Sequence, residues 1–164
     1  MDSDREARIK KYRANIKISG RYYIFFGIWI VLRIFMMLTM KMDFVEQIFT
    51  PEDLAEVGHI GMIITYIILL ILIGVPVLLI HFFVGINAIR FSKGKTRNIF
   101  FLIVAAISLS SLILGLPAYF TGEVEDTIVA TFLIDVTMIF LLFDMIYSSI
   151  RVAWLTRKSG KRKE

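Results

Sequence analysis

The run IVLRIFMMLTM, residues 30–40, holds one arginine, Arg33, among apolar side chains, and the later runs hold Asp135 and Asp144 in the same way. If these runs cross a membrane, the chemistry open to them is ion pairing, proton relay or ion transfer, because an arginine or aspartate at a helix centre costs about 2.5–3.5 kcal/mol without a partner. Counting back from residue 40, Arg33 lies ~10 Å below the outer face; counting forward from Thr127, Asp135 lies ~12 Å deep. The shared level predicts an ion pair, Arg33 with Asp135, between the first and fourth helices. Such a pair would fix helix register or, alternatively, serve a transport pathway.

Asp144 follows Asp135 by nine residues, which turns it to the opposite side of the same helix. With Tyr147, Ser148 and Arg151 it forms a polar stripe at i, i+3, i+4 and i+7 reaching the inner interface. His81, Asn87, Arg90 and Arg21 fall near that level, so the sequence predicts an inner-leaflet polar cluster of His81, Asn87, Arg90, Asp144, Tyr147 and Ser148. Acid–base work on a lipid would need only two titratable groups there, Asp144 and His81.

Other catalytic patterns are missing. The two histidines, His59 and His81, belong to opposite membrane faces and open neither an H-x-x-x-H nor an H-E-x-x-H pattern, so no metal or haem site is expected. There is no G-x-S-x-G elbow, and the KGK at 93–95 lacks the residues of a phosphate-cradling loop and reads as a cytoplasmic turn. With no cysteine in the chain, disulfides, thiolate ligands and thiol nucleophiles are excluded. No cofactor is expected.

The elements that must position these groups follow from composition. Fully 57% of the 164 residues are hydrophobic and the mean hydropathy is +0.74, well above ordinary soluble domains. Runs of about 20 apolar residues match the ~30 Å hydrocarbon core. They place helices at about 22–40, 60–89, 99–120 and 127–154, leaving a basic segment 1–21 and a basic tail 155–164. The first span has no small-residue cleavage site and reads as a retained helix. The expected fold is an all-α integral membrane protein: a single four-helix transmembrane bundle with both termini cytoplasmic and a short N-terminal interfacial helix.

Orientation comes from the lysines and arginines, which favour the cytoplasmic side of short loops. Segment 1–21, the loop with Arg90, Lys93, Lys95 and Arg97, and the C-terminal tail are all basic. The loops KMDFVEQIFTPEDLAEVGH and TGEVEDT are acidic. Topology accounts for the pI of about 9.6, so nucleic acid is not an expected partner. The bilayer is, with anionic lipids at the cytoplasmic face, where each nearby basic residue contributes about 1 kcal/mol. The expected location is the cell (plasma) membrane.

Local signals refine the ends. Ser3 and Glu6 have capping-box spacing, Thr50-Pro51-Glu52-Asp53 reads as a helix start, Gly115 and Pro117 close the third helix, and Asp126 or Thr127 opens the fourth. Ala105, Ser108, Ser111 and Gly115 put small residues on one face of the third helix, a helix-packing signal within the chain or toward a second copy.

The residues favour an accessory, scaffolding or oligomer-forming component, with a homo-oligomer or another membrane protein as partner, over an enzyme. The first alternative is a small transporter or channel using Arg33, Asp135 and Asp144; the second is a lipid-processing enzyme.

Overall fold

The computed structural model describes residues 2–40, 51–96, 99–120 and 126–160. Four α-helices carry almost all of them: α1 (Asp2–Met40), α2 (Pro51–Ser92), α3 (Phe100–Gly115) and α4 (Asp126–Gly160), with a 3-10 segment (Leu116–Phe120) after α3. All four are long and apolar enough to cross a membrane, α3 together with its 3-10 extension. The protein is therefore all-helical and of membrane-spanning composition.

Local chemistry sets the ends. Proline lacks the amide hydrogen that a first-turn residue cannot use anyway, and α2 begins at Pro51. α4 opens at Asp126, whose charge favours the positive end of the helix dipole. α3 ends at Gly115, and Leu116-Pro117 continues in the tighter 3-10 form. The cap Thr50 lies outside the described residues.

Three element lengths differ from the sequence reading, α2 among them, since it runs from Pro51 to Ser92 rather than over 60–89. α1 is helical without interruption for 39 residues, so the basic segment and the first apolar run share one helix. α4 continues six residues past the expected end at 154, because Leu155 and Thr156 extend a helical register that nothing breaks before Gly160. Pro76 sits inside α2, which remains helical through it.

The chain divides into two compact units. One comprises Met1–Ile24 with Phe82–Glu164, and the other Phe25–His81. In the first, Ile16 and Tyr23 of α1, Val84, Ala88 and Phe91 of α2, Phe101 and Ala105 of α3, and Met138, Leu142, Met145 and Val152 of α4 are buried together. The close approach of α1 to α2 in this unit is made by glycines. A Cβ on Gly85 would stand 2.6 Å from the Gly20 carbonyl oxygen and 2.4 Å from Ile24, and one on Gly20 would stand 3.0 Å from the Gly85 carbonyl oxygen. Gly85 has no room for a side chain, and Gly20 admits one only if its neighbours give by a few tenths of an ångström.

The second unit is the remainder of α1 and α2. Gly27 abuts His81, where an added Cβ would lie 2.4 Å from the His81 Cβ, and Gly74 faces Val31 across an ordinary contact distance of 3.4 Å. Most of its large apolar side chains, from Ile28 and Leu32 on α1 to Ile67, Ile71 and Leu72 on α2, are exposed. On helices of this composition, outward apolar faces are the surface that hydrocarbon solvates.

Candidate functional site

The polar groups of the first unit gather along the seam between α1 and α4. Asp144 is half-buried, and its two carboxylate oxygens accept from three side chains: Asn15 Nδ2 at 3.4 Å, Ser19 Oγ at 3.2 Å and Ser148 Oγ at 3.3 Å. Asn15 and Ser19 are one helical turn apart on α1, as Asp144 and Ser148 are on α4, so each helix offers a polar pair on one face. Ser19 and Ser148 are themselves buried, at 2% and 0% exposed. Their distances sit at the long end of hydrogen bonding, which makes each bond modest and their number the main source of strength.

Below this cluster the seam continues toward the termini. The Tyr12 ring meets the Tyr147 ring edge-on, with centroids 6.1 Å apart and planes at 75°. Arg151 donates from Nε to the Tyr147 hydroxyl at 3.0 Å, one turn along α4, and its guanidinium carbon lies 5.4 Å from that ring's centre. Tyr147 and Arg151 are exposed, the arrangement expected of an aromatic and a base at a membrane–water boundary. Arg5 donates to the Leu155 backbone carbonyl, tying the start of α1 to the last turns of α4.

Asp144 and Ser148 are thus on the seam with α1, and Tyr147 meets it through Tyr12. The other members of the expected inner-leaflet cluster have different surroundings. Asn87 donates to the Phe83 carbonyl one turn back on α2 at 2.8 Å, and Arg90 is exposed. His81 belongs to the second unit, where its Nδ1 is 2.7 Å from the Val77 carbonyl. Sequence reasoning missed Asn15 and Ser19. Their signal is a polar residue at i and i+4 on a helix whose intervening face carries Ile16 and Tyr23 into the core.

Asp135 lies elsewhere on α4. It accepts a hydrogen bond from the Tyr119 hydroxyl, which the 3-10 segment carries back toward α4, and the Tyr119 ring packs at 70° on Phe132. With Ser111, Leu112, Gly115, Ala118 and Tyr119 it lines an open cavity of about 380 Å³. Arg33, its expected partner, is an exposed residue of the second unit. Buried Met138 and Leu142 stand between Asp135 and Asp144 in the α4 sequence.

The row of small residues on α3 divides along its length. Ala105 is fully buried, and Ser108 is half-buried and shares a hydrogen bond with Tyr23 of α1. Ser111 and Gly115 are exposed, and an added Cβ on Gly115 would meet nothing within 4 Å. Among the described residues no group of three or more histidine, cysteine or acidic side chains is placed to hold a metal.

Comparison with known proteins finds no matching family model, no matching curated protein and no matching solved structure.

Proposed function

We propose that this chain is a small polytopic membrane protein acting as an accessory, scaffolding or oligomer-forming component, with both termini cytoplasmic and no catalytic chemistry of its own. One observation carries the reading: the Asp144 oxygens accept from Asn15, Ser19 and Ser148 of the same chain. A carboxylate engaged by three internal donors fastens α1 to α4, whereas a substrate- or proton-handling carboxylate needs an oxygen that faces its reactant. The separation of Asp144 from Asp135 by about 13 Å along α4, with Met138 and Leu142 between them, also fits two local fastenings better than one polar pathway.

The cavity beside Asp135 and Tyr119 is the observation that favours the alternative, a small transporter or channel. Both readings are tested on wild-type protein and Asp144→Asn in liposomes and bicelles. The scaffolding reading expects Asp144→Asn to lose about 1–2 kcal/mol of unfolding free energy. It also expects neither protein to carry a proton- or ion-coupled flux. A wild-type flux that vanishes in a normally folded Asp144→Asn would overturn it.

A further inference from the structure

The turn between α2 and α3 gathers positive charge. α2 ends at Ser92, and the backbone reverses through Lys93, Gly94 and Lys95, held by Gly94 N–H to the Phe91 carbonyl at 2.9 Å and Lys95 N–H to the Arg90 carbonyl at 3.0 Å. Gly94 has φ +70°, a left-handed conformation that a side chain would strain. Arg13 of α1 reaches this turn: its Nη2 lies 3.7 Å from the point a Gly94 Cβ would occupy. Lys93 and Lys95 flank that point and are exposed.

Arg13, Lys93 and Lys95 thus bring three positive charges to one turn, and among the described residues the only ion pair is Arg8 with Asp4. The Arg13 Nε is buried and has no hydrogen-bond partner among the described residues. A planar guanidinium at a turn that carries two exposed lysines suits the tetrahedral oxygens of a phosphate.

We propose that Arg13, Lys93 and Lys95 form a phosphate-binding site at the α2–α3 turn, and that the phosphate belongs to the headgroup of an anionic lipid. The turn joins two membrane-crossing helices, so it lies at headgroup level, where a lipid phosphate is held at high local concentration. The placement of that lipid in the inner leaflet rests on the orientation proposed above; the site itself does not.

Detergent micelles have no sides, so a titration there tests the site apart from the orientation. Thermal unfolding of the full chain is followed as phosphatidylglycerol, phosphatidylcholine or inorganic phosphate is added. Phosphatidylglycerol is expected to raise the midpoint, phosphatidylcholine to leave it unchanged, and inorganic phosphate to act only weakly. The Lys93→Gln/Lys95→Gln variant should bind phosphatidylglycerol roughly tenfold or more weakly. It changes two exposed residues of a turn, so it carries the test even where Arg13→Gln fails to fold. Lys10→Gln/Arg157→Gln removes two other exposed charges and should change affinity less than about threefold. Equal losses in the two double variants would reduce the effect to diffuse attraction and overturn the site, as would a midpoint indifferent to phosphatidylglycerol. Inorganic phosphate acting as strongly as the lipid would overturn the lipid assignment.

Discussion

The two units use the same pair of helices in opposite ways. Around Gly20 and Gly85 the backbones of α1 and α2 nearly touch, and Ile16, Tyr23, Val84 and Ala88 are buried with residues from α3 and α4. Farther along the same helices, Gly27 still marks close approach to His81 and Gly74 meets Val31 at ordinary contact, yet Leu32, Phe35, Ile67, Ile71 and Leu72 are exposed. The apolar content of the second unit is no lower. What differs is how the polar groups are placed: the first unit has the Asn15, Ser19, Asp144 and Ser148 cluster, whereas over residues 25–36 and 63–81 the second has Arg33, Thr65, Tyr66 and His81 scattered on two helices. Hydrocarbon is as apolar as leucine, so in a membrane apolar composition alone does not bring helices together. Small residues and shared hydrogen bonds do.

That contrast can be broken most directly at Gly85. Its added methyl would face a backbone oxygen at 2.6 Å, which cannot swing aside as a side-chain tip can, so Gly85→Ala should cost about 2–3 kcal/mol despite alanine's better helix propensity. Denaturant unfolding in bicelles measures this. A variant as stable as wild type would mean that the crossing in the first unit is looser than described.

A smaller effect attaches to the charges. If Arg33 and Asp135 pair as their sequence depths predict, Arg33→Gln and Asp135→Asn should each lose about 1–2 kcal/mol, and the exchanged pair, Arg33→Asp with Asp135→Arg, should recover most of it. Additive losses with no recovery would leave Tyr119 as the group that matters to Asp135.

Gly115→Ala should do least. With nothing within 4 Å of the new methyl and the residue at the end of α3, unfolding should shift by no more than about 0.5 kcal/mol. A large loss would reveal that Gly115 is covered in the membrane by something outside the chain, which would sharpen the oligomer-forming reading.

Helix ends were legible in the sequence because each depends on a few adjacent residues: Pro51 at the start of α2, Asp126 at the start of α4, Gly115 and Pro117 at the end of α3. The membrane class was legible because it depends on composition. The partners of Asp144 were not. Depth counting placed His81, Asn87 and Arg90 near it, but level along the membrane normal does not give the direction in which a side chain points. Treating residues 1–21 apart from the first span also set Asn15 and Ser19 outside the set of depth-matched groups, whereas α1 carries them in one helix with Tyr23. The close-approach glycines were illegible for a related reason. Gly20 and Gly27 are seven residues apart on α1, a spacing that keeps one helix side, but nothing in the sequence says which helix faces that side, and the small residues Ser111 and Gly115 of α3 are exposed.

The brevity of α3 has a mechanical consequence. Its 16 residues rise about 24 Å, and the five-residue 3-10 segment adds about 10 Å, so together they just exceed a ~30 Å hydrocarbon layer. The other three helices, at 39, 42 and 35 residues, have turns in excess and can slide or lean without losing coverage. α3 has no such slack. In a bilayer it would act as the ruler of its unit: where the membrane thickens by a few ångströms, the lipids around this one helix would have to compress.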